Sequence, residues 1–496
     1  MDVRAVIPVT LPRTGPTTSY WQDPPDRIAD ERTTEALPQE ADVVIVGSGI
    51  TGAAVAWNLL KHIPVADGVV AATPDTRKPS VVMLEARQAC SGATGRNGGH
   101  TKAASYRTYA HHAATLGEEE AIKIAKLELS NICAVQSFAA AHNLAVEADV
   151  NPCNTVDVIY DADQWDAAQA SVQAMRHALG EDDAAARYEL YSPEEVRDRF
   201  YCPSGEGGGE QVQGGIGYFA CSLSAYKFTC GLLRMGIARG LNLQTHTPVT
   251  GLTRLEDGRW EVTTSRGKIT AGKVVVATNG YTGAILPQFQ GVIVPLRGQV
   301  TAQRPGSRTP FAGCLPTTYS FIYEDGYEYL ITRPSGSRFA GDVVVGGGLA
   351  RADRDGGVGE YGTTDDTTVN AAVSEYLRET TPRYFGRENW GEDDREGRVR
   401  AEWTGIMGYS SDGYPFVGEM PGELQRGLWV SASFQGHGMV LCWKCAEALV
   451  EMMEGRDGEE LEGWFPRVFR LTEERMGLRF EGRMATVAPG VVKEGA

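Results

Sequence analysis

Long apolar runs are missing from this 496-residue chain, and without about 18 such residues in a row no membrane-spanning helix is expected. Basic clusters are missing too. Lys+Arg number 47 against 64 Asp+Glu, and the net charge of -17 repels nucleic acid and anionic lipid. The opening stretch MDVRAVIPVTLPRTGPTTSYW has no apolar block of signal-peptide length, and the final VKEGA is no peroxisomal address. The nine cysteines are odd in number and scattered, which suits a reducing compartment better than a disulfide framework. Cys442 and Cys445 form the one C-x-x-C, but no second pair stands at zinc-ligand spacing. That pair reads as two core cysteines on one helix face, past the helix's first turn. His111-His112 has no matching carboxylate cluster and reads as solvent-facing. A cytoplasmic protein without metal, membrane or nucleic-acid partner is the expectation.

What is present describes a globular protein, with 42% hydrophobic and 22% charged residues. The length exceeds one core, so interleaved domains are expected. Residues 1–40 read as a proline-rich arm over the body. ADVVIVGSGITGAAVAWNLLKH gives a buried strand, a glycine turn and a helix, and SVVMLE a second strand. Residues 101–147 read as helical. Ser192, Pro193 and Glu195 spell a capping box with proline at the first helical position. A helix follows over 224–239, then strands that turn at Asp257-Gly258, and 292–350 alternate like an open sheet. A helix near 365–380, the strand LWVSASF, the turn QGHG and a last helix from Met439 complete the chain. Residues 481–496 read as a flexible tail.

Gly47, Gly49 and Gly52 match G-x-G-x-x-G between a strand and a helix, where each glycine has its own task. They allow the tight turn, backbone approach by a pyrophosphate and close helix–strand packing, respectively. Ser48, Ile50 and Thr51 fill the turn. Glu85 ends the next strand and should accept hydrogen bonds from a ribose diol. It falls later than the usual ~20 residues because 63–79 form an inserted loop. The sheet breaks off after Glu85 and resumes at KVVVATNGYT, where Ala277, Thr278, Asn279 and Gly280 end a strand. Its last strand lies near the far C-terminus. A nucleotide fold split in this way suits FAD better than a nicotinamide.

With these pieces in order, the chain resembles the D-amino-acid-oxidase-like (DAO) FAD oxidoreductases, the superfamily of glycine, sarcosine and γ-glutamylputrescine oxidases. It looks closest to the γ-glutamylputrescine-oxidase-like branch and its fungal relatives. The resemblance rests on DVVIVGSGITG, LEARQACSGATGRNGGH, TPVTGL, VVVATNGYT, PLRGQ, EWTGIMGYSSDGYPFVG and SFQGHGM. It implies an α/β (α+β overall) fold of the glutathione-reductase type, in which a Rossmann-like FAD domain joins a substrate domain on a large mixed sheet. The segments 41–108, 200–290 and 400–480 would form the first, and 109–199 with 291–399 the second. The loop with Ala86, Arg87, Ala93, Thr94, Arg96, Asn97, Gly98 and Gly99 would pass along the flavin, where side chains clash and amides are wanted. Arg96 and Asn97 would donate toward flavin or pyrophosphate oxygens, and the Val249 backbone would meet adenine. Gly436, His437, Gly438 and Met439 would turn helix amides onto the flavin pyrimidine edge, where reduction places negative charge. Arg96, His437 and Gly438 are the catalytic candidates, although His437 also reads as a plain turn residue.

The resemblance implies oxidation of a C–N bond of an amine or amino acid, with O2 as acceptor and H2O2 as product. Alternatives are a dehydrogenase or electron-transfer subunit, and a flavin hydroxylase. Monomeric sarcosine oxidases place a flavin-linking cysteine near Glu402-Trp403, and none is here, so the FAD is expected to be non-covalent. Val440 stands where they have a carboxylate-holding lysine. The expected substrate pocket therefore draws on Tyr319, Tyr323, Trp403, Arg297 and Arg333.

Overall fold

The computed structural model describes residues 2–66, 69–70, 78–203, 211–324, 326–352 and 356–482. The expected tail therefore lies, from 483 on, outside the described residues. Glu40–Val46, with Val44 and Ile45 wholly buried, is an inner strand of an eight-stranded sheet. It runs parallel to Val81–Leu84 on one side and to Gly267–Val276 on the other. Leu241–Gln244 continues the sheet beyond Val81–Leu84, and Leu428–Ala432 lies parallel to Gly267–Val276. Parallel strands covered on both faces carry unbroken apolar runs, which is why these segments stood out. The last parallel strand does come from the far end of the chain. Helix Ile50–Leu60 packs against Cys442–Met453 and Ala225–Ala238, and its small Ala53, Ala54 and Ala56 let the helices approach closely.

A nine-stranded mixed sheet forms the other layer. Its order is Val399–Ser410, Ile293–Gln303, Val343–Gly346, Gly326–Thr332, Thr318–Tyr323, Asn151–Ile159, Gly214–Ser222 and His100–Lys102. Glu189–Tyr191 pairs with Gly214–Ser222 off this path. Three of these strands, 100–102, 214–222 and 399–410, fall in the segments expected to form the FAD domain. A strand's own pattern of burial does not name its hydrogen-bond partner, so sheet membership is decided by tertiary pairing. Residues 101–147 are likewise not helical throughout. A strand ends at Lys102, and Gly117, at φ +90°, separates helix Tyr106–Leu116 from helix Glu118–Ala141. The capping box at Ser192 forms, with Pro193 opening the helix. No helix among the described residues is long and apolar enough to cross a membrane.

The arm is tied down by specific bonds. Ser19 Oγ donates to the Gly95 carbonyl at 2.7 Å, and Trp21 Nε1 to the Asn97 carbonyl at 2.5 Å. Tyr20 stacks on Trp403 with ring centroids 6.1 Å apart.

Candidate active site

A cavity of about 890 Å³ is walled by both sheets and runs from the glycine turn to the tyrosine strands. At its first end Gly47 sits at φ +108°, where a Cβ would lie 2.6 Å from the Ala277 carbonyl oxygen. A Cβ on Gly52 would meet the Gly47 oxygen at 2.0 Å. Gly52 therefore serves helix–strand packing and does not line the cavity. Gly49 does, beside Ser48, Ile50 and Thr51. Among the described residues no acceptor takes the Gly49 or Thr51 amide, while Ile50 donates its own to Thr94 Oγ1 at 3.1 Å. Free amides at the start of an eleven-residue helix, with its positive dipole end, fit a pyrophosphate. Glu85 faces the same space. One of its carboxylate oxygens receives the Ser48 amide and hydroxyl at 3.2 and 2.6 Å, and the other the Arg87 amide at 3.0 Å. A carboxylate has about four acceptor positions, so room for a ribose hydroxyl remains. Val249, Ala277, Thr278, Asn279 and Ala86 complete this wall.

The loop 86–100 holds its glycines for a reason the sequence did not show. A Cβ on Gly98 would fall 2.1 Å from the Tyr329 ring, on Gly99 2.3 Å from the Leu223 carbonyl, and on Gly95 2.2 Å from the Cys90 carbonyl. The protein's own packing excludes side chains there, and Gly99 is not in the cavity wall. Ala93, Thr94, Arg96, Asn97 and Gly98 are. The polar side chains of Arg96 and Asn97 are nonetheless spent inside the protein. Arg96 donates to the carbonyls of Ser91, Thr17 and Thr404, and burial lowers its guanidinium to about 10. Asn97 donates to the Thr94 carbonyl and accepts the Gly99 amide. Arg87 is held by Asp366 at 3.0 Å. Arg96 and Asn97 thus shape the loop rather than offering side-chain donors to a ligand.

Gly436, His437, Gly438 and Met439 also line the cavity. Gly436 stands at φ +70°, and Ser433 and Gln435 before it at +66° and +54°, a strained entry of the kind that gathers at functional sites. Asn279 stabilises that entry, since its Oδ1 accepts the Ser433 and Phe434 amides at 3.0 and 3.2 Å. Gly280 instead makes room for strand 399–410, where a Cβ would lie 2.3 Å from the Met407 oxygen. A short 3-10 turn, Gly438–Val440, precedes the helix, which begins at Cys442 rather than Met439. The Gly438 and Met439 amides have no acceptor among the described residues. They are donors of the kind a developing anion requires.

The expected substrate residues divide. Tyr323 lines the cavity, with Tyr327 and Tyr329 from the next strand. Tyr319 is fully buried against Phe321 and Phe385 and belongs to the core. Tyr329 and Tyr327 stand opposite Ser320 and Ile322, on the face of the sheet that Tyr319 does not share, whereas Tyr323 shares the face of Tyr319 but sits at the strand's end, next to the turn. Trp403 is also buried, donating to the Arg96 carbonyl at 2.7 Å. Arg297 reaches the wall but pairs with Glu360 at 2.5 Å, and Arg333 lies outside the cavity, paired with Asp149 at 2.7 Å. Asp342, which precedes the buried strand Val343–Gly346, is likewise structural, bound by Arg400 at 2.5 Å. Cys442 is the first residue of its helix, and both it and Cys445 are buried, free thiols. His112 does not face solvent: it is buried in the cavity wall, and burial holds it down at about 4.

Several groups in the wall were not among the expected site residues. Lys102 pairs with Asp157 at 2.5 Å and also bonds Ser320, while Tyr106 and Tyr218 each donate to Asp157 at 2.8 Å. His100 meets Thr318 Oγ1 at 2.8 Å, and burial lowers it to about 3. Arg107 stands 4.8 Å over the Tyr327 ring and forms no ion pair among the described residues. His100 closes the stretch ATGRNGGH, whereas Lys102 and Arg107 gave no signal beyond a polar residue at an inward position.

Several known proteins are similar to this chain. Glycine oxidase of Pseudomonas aeruginosa is 26% identical over 229 residues, 45% of this chain and 54% of that enzyme, so the chain spans little more than half of its length. A probable oxidoreductase of Rhizobium meliloti, OrdL, is 24% identical over 430 residues, 85% of each. The structure superposes on glycine oxidase from Geobacillus kaustophilus with a TM-score of 0.65 at 18% identity, covering 88% of this chain and 99% of the other. It superposes on L-amino acid deaminase from Proteus vulgaris at 0.62 and 17%, covering 90% and 96%. These structural likenesses bear out the expected α/β fold. The profile of the FAD dependent oxidoreductase (DAO) family matches residues 42–452, and with the glycine turn, Glu85 and the GHG turn gathered on one cavity, the chain belongs to that family.

Proposed function

We propose that the enzyme oxidises the C–N bond of an amine or amino acid that carries an acidic group, leaving an imine that water hydrolyses. Bound FAD supplies the hydride acceptor and, by reaction with O2, the route to H2O2. Arg107 carries the substrate part of this reading. It is a cavity-wall guanidinium whose one side-chain partner among the described residues is the Tyr327 ring, so it is available to a carboxylate, whereas Arg297 and Arg333 are occupied. An anion left unpaired in a dry site costs several kcal/mol, so a free cation implies an acidic ligand. Tyr327 and Tyr329, on one face of their strand and beside Arg107, would enclose the amine's carbon chain and exclude water. The Gly438 and Met439 amides would hold the flavin edge that gains charge, and the Gly49 and Thr51 amides the pyrophosphate. A non-covalent FAD is supported by Cys90, which is wholly buried and outside the cavity wall. The nine free thiols support a reducing compartment.

The test is anaerobic bleaching of the yellow holoenzyme by 4-aminobutyrate, D-alanine, glycine, sarcosine and benzylamine, followed by readmission of air. Bleaching by an acid-bearing amine with stoichiometric peroxide is expected. Bleaching without peroxide, restored only by an artificial electron acceptor, would make the enzyme a dehydrogenase.

A further inference from the structure

Glu128 is a buried carboxylate in the cavity wall for which the redox reading has no use. It lies on helix Glu118–Ala141 and is 6% exposed. Its Oε2 receives the Ser105 hydroxyl, while Oε1 has no hydrogen bond among the described residues. The nearest group able to carry positive charge is His437 Nε2, 3.5 Å from Oε1, in the GHG turn. No lysine or arginine among the described residues pairs with it within 4.0 Å, although Lys102 and Arg107 both line the same cavity. Burying a lone carboxylate is costly, and a structural role would be served as well by glutamine. An oxygen left open toward the reacting space calls for a ligand that brings a proton or a positive charge.

An amine at neutral pH supplies both. It binds largely as the ammonium ion, which lacks the nitrogen lone pair that must stabilise the carbon losing hydride. We infer that Glu128 Oε1 is the general base that takes the ammonium proton of the bound amine before C–H cleavage. An N–H bond breaks and an O–H bond forms: the ammonium becomes a neutral amine, the carboxylate a neutral acid, and nothing is oxidised in this step. This inference rests on the proposed amine oxidation. Burial, opposed only in part by the Ser105 bond, lifts the Glu128 carboxyl to about 7, where a base is most useful. The groups facing the pair agree. Burial holds His437 at about 4, with Lys102 and Arg107 adding to it, and burial likewise holds His100 at about 3 and raises Tyr188. The neighbouring imidazoles and phenol are thus neutral, and Glu128 is left as the group that titrates near neutrality.

The experiment follows flavin bleaching in holoenzyme across about pH 5 to 9.5 for wild type, Glu128→Gln and Glu128→Asp, using the fastest of the five probes above. Wild type should lose rate about tenfold per pH unit below an inflection near 7, and Glu128→Asp should keep that limb. Glu128→Gln should lose the inflection and bleach about 100-fold more slowly at neutral pH, recovering toward wild type at the alkaline end, as a growing share of the amine is already neutral. An unchanged profile in Glu128→Gln overturns the inference. Infrared difference spectra of substrate-free holoenzyme provide an independent reading. A carboxylic-acid carbonyl band titrating near neutrality, and missing in Glu128→Gln, supports the base, and its absence from wild type overturns it. If no probe bleaches the flavin although FAD is bound, amine oxidation itself fails, and this role falls with it.

Discussion

Asn131 holds the Met439 end of the GHG turn. Its Nδ2 donates to the Met439 carbonyl at 3.1 Å while its Oδ1 accepts the Lys444 amide at 3.0 Å, so one buried side chain fixes both the turn and the start of helix Cys442–Met453. Asn131→Leu leaves that carbonyl and amide unpaired, at a cost of about 1–3 kcal/mol each. Thermal unfolding should shift down accordingly and FAD should bind more weakly. Unchanged melting and FAD affinity would show that the turn stands without it.

Gly49→Val should produce a colourless protein. A Cβ there already lies 3.1 Å from Thr94 Oγ1, and the branched methyls would crowd the free amides meant for pyrophosphate. Flavin content after purification measures this, and a full complement of FAD would contradict the assignment. In the parent protein, acid precipitation should release all flavin to the supernatant.

The arm clamps the 86–100 loop, although it precedes the family match at residue 42. Trp21→Phe removes the bond to the Asn97 carbonyl, and Ser19→Ala the bond to Gly95. Each lost bond is worth about 1 kcal/mol, so FAD should dissociate about five-fold more readily from either variant. Equilibrium titration of apoprotein with FAD checks this, and parent-like affinity would reduce the arm to a cover.

Arg107→Ala should raise KM for an acid-bearing amine while leaving benzylamine untouched, a split that general misfolding would not give. Arg297→Ala should instead lower stability by about 3–5 kcal/mol, because it removes the cation from buried Glu360, and Arg333→Ala by less, because Asp149 keeps Lys227 at 3.7 Å. If either variant alters selectivity and Arg107→Ala does not, the carboxylate site is elsewhere.

Acid should weaken the protein. His100, His112 and His437 are held near 3, 4 and 4, against 6.5 in the unfolded chain. The unfolded state therefore binds protons that the folded state refuses, and stability is lost as pH falls from about 6.5 toward 4. Glu128 works in the opposite direction, since its raised value favours the fold at low pH and loses that contribution as pH climbs through about 7. Melting temperatures across this window should fall with acid, less steeply in His112→Asn and more steeply in Glu128→Gln.

What the sequence alone determined is the nucleotide end. Gly47 marks a turn at φ +108° that few residues but glycine adopt, Gly49 and Gly52 mark close approaches, the apolar runs around them state a doubly covered parallel sheet, and Glu85 closes the unit. Such signals are local, because turn angles and strand burial depend on neighbours in the chain. Tertiary structure decided the rest. Gly98 is glycine because Tyr329 lies on it, Arg297 and Arg333 are spent because Glu360 and Asp149 reach them, and Arg107 meets the Tyr327 ring but no carboxylate among the described residues. Glu128 meets His437 across more than three hundred positions of chain, and Lys102 meets Asp157 across 55. Which charge finds a partner, and which is left facing the cavity, depends on contacts between elements distant in sequence. No spacing along the chain encodes that.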